Sequence, residues 1–366
     1  MTVYLLAGGG TAGHVNPLLA VADRLRERRP DDEVLVLGTA EGLESRLVPA
    51  RGYELLTIAK VPFPRRPNRA AVAFPSRFRR SIDDVSAIIA DRGVDVVVGF
   101  GGYVATPAYL AARRARVPVA IHEANAKPGL ANRLGARWAA AVGVAFGGTP
   151  LRNAEVVGMP LRREIETLDR VALRDEAARF FALDPARPVL LATGGSLGAR
   201  RINRTMVESA GDLTGAGWQV LHITGASSDV DDPGLTDYRM AEYADRMDLA
   251  LAVADAAVSR AGAATVSELA ALGIPAVYVP YPVGNGEQRF NAADVVGAGG
   301  GILVDDADFV PDWVHGELVP LLGDRDRVAR MAEAAASVGH RDGTDRMIAL
   351  VDAALGGGAG DTAQGA

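Results

Sequence analysis

The chain has 366 residues, of which 49% are hydrophobic and 23% charged, and its formal net charge is −6. These values are typical of a soluble globular protein of about two domains, and the negative balance argues against a general affinity for nucleic acid or anionic membranes. The absence of cysteine excludes disulfides, thiolate metal sites and cysteine nucleophiles. No apolar run reaches the roughly 18 residues of a membrane span, and no basic leader precedes the first strand, so we expect a cytoplasmic protein.

The chain opens with a predicted strand, a glycine loop and a predicted helix. The apolar run Val3–Ala7 leads into Gly8-Gly9-Gly10-Thr11-Ala12-Gly13-His14. One apolar stripe predicts an amphipathic helix directly after this loop, and it consists of Val15, Leu18, Leu19, Ala22 and Leu25. Glycines let the backbone approach a ligand, a helix N-terminus favours an anion, and His14 adds a base suited to neutral pH. The opening therefore predicts an anion-binding enzyme site.

The same loop also matches the dinucleotide-binding pattern G-x-G-x-x-G through Gly8, Gly10 and Gly13. A dinucleotide site usually has a carboxylate at the end of the second strand, on the ribose. Here the second predicted strand, Glu33–Leu37, ends in Gly38-Thr39. A nicotinamide or flavin site is therefore the less favoured interpretation.

Apolar strands and helical patterns alternate along the chain, which predicts an α/β fold of two doubly wound parallel sheets. The predicted strands after the second are Asp95–Gly99, Val117–His122, Ala141–Ala145, Glu155–Val157, Pro188–Thr193, Trp218–Thr224, Ala256–Ser259 and Ala276–Pro280. A junction near Gly158–Pro160 divides residues 1–160 from residues 161–340. We expect a C-terminal helix at about 341–355 to pack back on the first domain, and Gly356–Ala366 to be a disordered tail.

The segment Lys60–Arg80 departs from the overall charge, since it contains seven basic residues and no acidic one. Apolar side chains alternate with the basic ones, a composition that suits an anionic lipid surface. A solvated basic loop is the alternative, and nucleic acid is disfavoured because no recognised binding motif accompanies the arginines. The candidate membrane patch consists of Arg65, Arg66, Phe74, Arg77, Phe78, Arg79 and Arg80.

Seven ordered sequence blocks resemble the GT-B glycosyltransferases, and among them the family that adds N-acetylglucosamine to lipid I. The resemblance runs from Val3 to about Leu355, and its blocks are Gly8–Pro17, Gly99–Pro107, His122–Arg133, Gly158–Arg162, Gly194–Asn203, Ser259–Ala276 and Gly284–Ala292. It implies two Rossmann-like domains facing a deep cleft, the first for the acceptor and the membrane, the second for the UDP-sugar donor.

The resemblance implies transfer of N-acetylglucosamine from its UDP donor to the C4 hydroxyl of the muramyl sugar of lipid I, which forms lipid II. The configuration inverts, so the reaction needs a base and stabilisation of the departing diphosphate but no protein nucleophile. It further implies no cofactor or metal, a peripheral position at the cytoplasmic face of the cell membrane, no nucleic-acid partner, and a cell-wall assembly complex as a further partner.

The family pattern also implies roles for individual residues. His14 is the first candidate for the base, with a purely helix-capping or phosphate-binding role as the alternative, and Glu123 is the second candidate. The implied UDP-N-acetylglucosamine contacts are Thr11, Ala12, Gly13, Asn125, Arg162, Ser196, Ala244, Ala263, Ala264, Thr265, Val266, Ser267, Glu268 and Gln288. The implied contacts of the acceptor diphosphate are Gly9, Gly10, Gly101, Gly102 and Tyr103.

Several alternatives stay open from the sequence. Glu268 is either the ribose ligand or an exposed carboxylate in the first turn of a helix, favoured by the helix dipole. Asp306-Ala307-Asp308 resembles a manganese-binding D-x-D pair but is expected to be a solvated loop. Other GT-B enzymes, such as a natural-product glycosyltransferase or a UDP-N-acetylglucosamine 2-epimerase, are the nearest rivals. A non-catalytic nucleotide-sugar-binding subunit is a rival of a different class.

Overall fold

The computed structural model describes residues 1–61, 69–195, 199–226, 228–283 and 286–358. The chain divides into two compact units, the first formed by Met1–Arg162 with Asp342–Ala366 and the second by Arg163–Arg341. Each unit is built on its own parallel sheet with helices, which confirms the predicted α/β class.

The strands follow the chain in two groups, β1 to β7 in the first unit and β8 to β13 in the second. Their bounds are β1 Val3–Gly8, β2 Glu33–Gly38, β3 Glu54–Thr57, β4 Val96–Gly101, β5 Val119–Glu123, β6 Ala141–Val144, β7 Ala154–Val156, β8 Val189–Thr193, β9 Gln219–Ile223, β10 Tyr238–Ala241, β11 Ala256–Ser259, β12 Ala276–Tyr278 and β13 Gly301–Leu303. The sheet orders are β3-β2-β1-β4-β5-β6-β7 and β10-β9-β8-β11-β12-β13.

The helices connect these strands, with one short π-helix at Val314–Leu318. Their bounds are α1 Ala12–Arg28, α2 Glu44–Ala50, α3 Arg69–Arg92, α4 Ala105–Ala115, α5 Leu130–Gly135, α6 Arg163–Glu166, α7 Arg170–Phe180, α8 Arg200–Glu208, α9 Ala210–Gly215, α10 Met247–Val253, α11 Ala263–Ala271, α12 Glu287–Asn291, α13 Ala293–Gly297, α14 Pro311–Trp313, α15 Val319–Gly323, α16 Arg325–Val338 and α17 Gly343–Gly358. No described helix is both long enough and apolar enough to span a bilayer.

Both faces of the first sheet are buried, as expected where helices cover a parallel sheet on both sides. Leu5 of β1 belongs to one hydrophobic cluster, while its neighbours Tyr4 and Leu6 belong to the cluster on the opposite face. The predicted apolar stripe of α1 is buried in that second cluster, which confirms it. Because the strands are parallel, the loops that follow β1, β4 and β5 emerge at the same edge of the sheet.

Three strands were missed by the sequence analysis, and all three lie at sheet edges. They are β3 in the first unit and β10 and β13 in the second. Each has only three or four residues, and none is a long apolar run. An edge strand pairs on one side only, so its sequence carries little of the continuous apolar signal of a central parallel strand.

Helix α17 packs in the first unit, where Met347, Ile348, Val351 and Ala354 are buried in the same cluster as the stripe of α1. The helix extends to Gly358, so residues 356–358 of the segment predicted as a tail are helical. Residues 359–366 of the predicted tail lie outside the described residues.

Candidate functional site

Two glycine loops lie side by side at the carboxyl edge of the first sheet. Gly8 at the end of β1 pairs with Gly101 at the end of β4. Gly102 has a φ of +86°, and a Cβ atom placed on it would lie 2.5 Å from the carbonyl oxygen of Gly9. Only glycine fits this position. The structure thus brings together the four glycines predicted to bind the acceptor diphosphate, with Tyr103 beside them.

The imidazole of His14 is held by the loop that precedes its own helix. Its Nδ1 atom lies 3.1 Å from the carbonyl oxygen of Gly9 and 3.3 Å from Oγ1 of Thr11. A carbonyl oxygen only accepts hydrogen bonds, so Nδ1 carries the proton and donates it to Gly9. The neutral ring then has an unprotonated Nε2, to which no described residue hydrogen-bonds. A Cβ atom on Gly101 would lie 3.1 Å from this nitrogen.

A carboxylate that the sequence analysis missed lies behind the same loop. Glu44, the first residue of α2, is fully buried and accepts hydrogen bonds from the backbone N–H of Gly10 and from both the N–H and the hydroxyl of Thr39. Burial acts to raise the pKa of Glu44, but these hydrogen bonds outweigh it and leave the pKa below its ordinary value. A buried carboxylate needs such donors. The only sequence signals were an acidic residue shortly after β2 and three consecutive glycines at the end of β1.

Glu123, the second candidate base, is buried at the end of β5 and holds the segment that follows. One carboxylate oxygen accepts from the N–H of Asn125, and the other accepts from the N–H of Gly129 and the side-chain amide of Asn132. The amide oxygen of Asn132 in turn accepts from the hydroxyl of Tyr109. These contacts give Glu123 a clear role in shaping the loop between β5 and α5.

His122, next to Glu123, is fully buried, and its Nε2 lies 3.0 Å from the carbonyl oxygen of Gly158. Burial lowers the pKa of His122 to about 4. This hydrogen bond gives His122 a structural role at the end of β5.

The remaining predicted donor contacts of the first unit lie near these loops or at the end of the unit. Thr11 and Ala12 are exposed where α1 begins, and Gly13 is half-buried in its first turn. Asn125 is half-buried in the loop held by Glu123. Arg162 is also half-buried and is the last residue of the segment Met1–Arg162, which belongs to the first unit.

In the second unit, the predicted donor residues gather around the start of α11. This helix begins at Ala263, separated by three residues from the end of β11 at Ser259, and no side chain caps its N-terminus. Its first five residues are all predicted contacts, namely Ala263, Ala264, Thr265, Val266 and Ser267. Glu268 follows in the second turn and is half-buried, so the alternative of an exposed first-turn carboxylate was wrong.

The other predicted donor residues of this unit are more scattered. Ala244 is half-buried in the segment after β10. The amide oxygen of Gln288 in α12 accepts a hydrogen bond from the backbone N–H of Tyr281, at a distance of 2.9 Å. Ser196 lies outside the described residues, as do Arg65 and Arg66 of the basic segment.

Asp305, Ala307 and Asp308 are exposed, as predicted for a solvated loop, but the side chain of Asp306 is mostly buried. Its Oδ1 lies 2.5 Å from Nη1 of Arg260, and the two side chains are only 15% and 11% exposed. The same guanidinium donates to the carbonyl oxygens of Val279 and Pro280. Asp306 was misassigned because its partner is distant in sequence. Among the described residues, no group of three or more acids and histidines is arranged to hold a metal.

A buried chain of polar side chains links α8 to β9 and β10 in the second unit. Asn203 of α8 donates through its amide nitrogen to the carbonyl oxygen of Thr224 and to Oγ of Ser228. Its amide oxygen therefore accepts from Nε2 of His222, 3.1 Å away, and Nδ1 of His222 accepts from the hydroxyl of Tyr238. Burial lowers the pKa of His222 to about 4, so the ring is neutral at neutral pH.

The described residues of the basic segment from Arg69 onward lie on α3. The rings of Phe74 and Phe78 stack with centroids 5.4 Å apart, one helical turn from each other. Arg77, Arg79 and Arg80 on the same helix are exposed. The residues predicted for the membrane patch that the structure describes therefore share one helix.

Each of the two units has a parallel sheet with glycines and a helix N-terminus at the ends of its strands, an architecture suited to binding nucleotides and other phosphate-bearing ligands. The model of the glycosyltransferase family 28 N-terminal domain matches residues 4–144, and that of the family 28 C-terminal domain matches residues 189–347. The chain belongs to glycosyltransferase family 28.

Similar proteins support this assignment. A curated relative from Leifsonia xyli subsp. xyli, a UDP-N-acetylglucosamine--N-acetylmuramyl-(pentapeptide) pyrophosphoryl-undecaprenol N-acetylglucosamine transferase, is 68% identical over 97% of this chain and 99% of its own length. The crystal structure of Acinetobacter baumannii MurG has a TM-score of 0.79 and 27% identity, and the alignment covers 96% of this chain and 99% of that one.

A UDP-GlcNAc 2-epimerase from Neisseria meningitidis also resembles this chain, with a TM-score of 0.67 and 15% identity over 96% of this chain and 99% of its own. At this identity the likeness concerns the fold alone. The rival enzyme class named from the sequence therefore shares the architecture, and the assignment to the transferase rests on sequence identity.

Proposed function

We propose that this protein transfers N-acetylglucosamine from UDP-N-acetylglucosamine to the C4 hydroxyl of the muramyl sugar of undecaprenyl-diphosphate-linked lipid I, forming lipid II. The close curated relatives support the substrates and the reaction. One structural observation supports the chemistry above all others. His14 donates from Nδ1 to the carbonyl oxygen of Gly9, and this leaves Nε2 as a free proton acceptor beside the two glycine loops.

The acceptor side of the reaction is assigned to the first unit. The lipid diphosphate binds at the loops that contain Gly9–Gly10 and Gly101–Gly102, where the missing side chains allow close approach. The N–H of Gly10 already donates to Glu44, so other backbone N–H groups of these loops serve as donors. The Nε2 atom of His14 takes the proton of the muramyl hydroxyl as this oxygen attacks the anomeric carbon. Glu123 is the weaker candidate for the base, because both of its oxygens already accept hydrogen bonds from its own loop.

The donor side is assigned to the second unit. The diphosphate of the donor lies at the uncapped N-terminus of α11, where the first N–H groups and the helix dipole stabilise the negative charge of the leaving group. Glu268, half-buried in the second turn, accepts the ribose hydroxyls. Ser196 and Gln288 complete the donor contacts in this proposal.

The position of the protein in the cell follows from its lipid substrate. We assign it a peripheral site on the cytoplasmic face of the membrane, with α3 as the contact. Exposed Arg77, Arg79 and Arg80 would each contribute about 1 kcal/mol near an anionic leaflet. The stacked pair Phe74 and Phe78 adds apolar surface on the same helix.

The reaction is tested by measuring UDP release from UDP-N-acetylglucosamine with and without a lipid I analogue. We expect release only with the acceptor, and a loss of about 100- to 10,000-fold in kcat for His14→Ala, the range typical of a general base. His315→Ala is the matched control, because that ring is exposed in the second unit. Acceptor-independent consumption of the donor would favour the epimerase, and UDP binding without turnover would favour a binding subunit. Full activity of His14→Ala would transfer the role of base to Glu123.

A further inference from the structure

Glu44 and His14 contact opposite ends of one peptide group. The N–H of Gly10 donates to Oε2 of Glu44 at 2.8 Å, and the carbonyl oxygen of Gly9 accepts from Nδ1 of His14 at 3.1 Å. These two backbone groups belong to the same planar peptide unit, in which resonance couples the nitrogen to the oxygen. A carboxylate, a peptide and an imidazole therefore form a continuous hydrogen-bonded chain.

The carboxylate of Glu44, at the far end of this chain, is stabilised in its charged form. Three hydrogen-bond donors, one from Gly10 and two from Thr39, point at its two oxygens. Its carboxylate fills space that side chains at two neighbouring glycines would take, because Cβ atoms placed on Gly9 and Gly42 would lie 2.5 Å and 2.1 Å from its oxygens. Glycine is therefore needed at positions 9 and 42 to make room for the carboxylate of Glu44, and not only for a ligand.

The arrangement has a defined effect on the ring. A buried anion at the N–H end of a peptide draws positive charge to that end and makes the carbonyl oxygen a stronger acceptor. A stronger acceptor on Nδ1 favours the Nδ1–H tautomer and stabilises the imidazolium that forms when Nε2 takes a proton. An aspartate that contacts its histidine directly has this effect in hydrolase triads. Here a peptide group lies between the two side chains.

We propose that Glu44 is a positioning residue for the transfer reaction, acting through the Gly9–Gly10 peptide to hold His14 with Nδ1 protonated and Nε2 free. This inference rests on the proposed function, in which His14 is the base. In the reaction, the O–H bond of the muramyl hydroxyl breaks and the Nε2–H bond forms. The oxygen bonds to the anomeric carbon as the bond from that carbon to the diphosphate breaks. Glu44 stays ionised throughout.

The first experiment does not depend on activity. The protein has only five histidines, so nitrogen NMR of protein with labelled histidine can identify the His14 ring by its absence in His14→Ala. We expect protonated Nδ1 and unprotonated Nε2 in the native protein, and a shift of population towards the other tautomer in Glu44→Gln. Asp95→Asn is the matched control, because Asp95 accepts from the N–H of Val3 at the opposite end of β1. An Nε2–H tautomer in the native protein, or an unchanged one in Glu44→Gln, would overturn the proposal.

The second experiment separates positioning from binding. In Glu44→Gln we expect kcat to fall by roughly 10- to 100-fold, as for residues that orient a catalytic group, with KM for the donor within about twofold. Glu44→Asp, which keeps the charge, should recover part of this loss. In a His14→Ala background, Glu44→Gln should have no further effect on kcat, because residues that act as a unit are not additive. A full additional loss in that background would contradict the proposal.

The outcomes distinguish this inference from the proposed function. If the native protein shows the expected tautomer and its response to Glu44→Gln but no acceptor-dependent UDP release, only the proposed function fails. If the native protein transfers the sugar and needs His14, but Glu44→Gln behaves like Asp95→Asn, only the role of Glu44 fails. If Glu44→Gln does not fold, the tautomer of His14 in the native protein and the kcat of Glu44→Asp decide whether the role proposed for Glu44 holds.

Discussion

The α-carbon of Gly101 lies so close to the imidazole of His14 that a Cβ atom at this position would be 3.1 Å from both Nε2 and Cδ2 of the ring. Gly101 also has a φ of +95°, which side chains rarely tolerate. The two residues are far apart in sequence, and only the pairing of β1 with β4 brings them together.

This contact predicts the effect of Gly101→Ala. The added methyl group displaces the ring by a few tenths of an ångström or covers Nε2, and we expect kcat to fall by up to about 100-fold. UDP affinity should change by less than about twofold, because we assign the nucleotide to the second unit. Steady-state kinetics and UDP titration measure the two quantities. Gly93→Ala is the control, since Gly93 has a φ of +59° with nothing within 4 Å of its Cβ position. Equal kcat values for the two variants would contradict the prediction.

The Arg260–Asp306 pair predicts a non-additive effect on the stability of the second unit. Arg260→Leu leaves the carboxylate of Asp306 poorly solvated and removes the donors to Val279 and Pro280. We expect the free energy of unfolding to fall by about 3 kcal/mol, and the double variant with Asp306→Leu to recover part of it. Urea unfolding measures both. If the double variant is as unstable as the sum of the two single variants, the pair does not hold these strand ends together.

The buried ring of His222 predicts a loss of stability in mild acid. Its pKa in the folded state, about 4, lies below the ordinary value of about 6.5, so on acidification the unfolded chain takes up the proton first. The contribution of the neutral His222 ring to the free energy of unfolding is therefore fully present above about pH 6.5 and is lost as the pH falls towards about 4. Between about pH 7.5 and pH 5 this amounts to about 2 kcal/mol.

Urea unfolding at these two pH values tests the effect in a Trp138→Phe background, where the remaining tryptophans, Trp218 and Trp313, both lie in the second unit. His222→Gln should reduce the pH dependence of this transition. His315→Gln, at an exposed position, should leave it unchanged. If His222→Gln and His315→Gln show the same pH dependence, the prediction is wrong.

The basic face of α3 predicts a charge-dependent affinity for lipid. Arg77→Gln, Arg79→Gln and Arg80→Gln together should weaken sedimentation with vesicles that contain anionic lipid, because about 1 kcal/mol is lost for each charge. The control carries the same change at three exposed arginines of α16, namely Arg325, Arg327 and Arg330. Sedimentation that is unchanged in the α3 variant, or equally weakened in the control, would refute the membrane assignment of this helix.

The position of Glu268 predicts selectivity for a ribose diol. A hydrogen bond to a carboxylate contributes about 1.5–3 kcal/mol, so Glu268→Gln should weaken UDP binding by roughly 10- to 100-fold. It should also reduce the preference for UDP over 2′-deoxy-UDP, which calorimetric titration of both nucleotides measures. Glu333→Gln, at an exposed site on α16, is the control. An undiminished preference in Glu268→Gln would show that Glu268 does not bind the ribose.

The sequence was sufficient for the features that depend on local order. The burial of both faces of a parallel sheet makes its central strands continuous apolar runs, and every predicted strand lies where the structure has one. The stripe of α1 was likewise predictable. So was the family, because ordered blocks with long shared motifs do not depend on knowing which residues touch.

Tertiary structure alone decided what depends on contacts between distant segments. The edge strands β3, β10 and β13 form because a neighbouring strand offers hydrogen bonds. Their short sequences do not by themselves predict a strand. From the sequence, Asp306 has the character of a surface acid, but in the structure Arg260 lies beside it. Glu44 has the sequence context of an ordinary helix start, but in the structure Gly10 and Thr39 donate hydrogen bonds to its carboxylate. In each case the energy of a buried charge depends on partners brought there by the sheet, and no pattern along the chain encodes that distance.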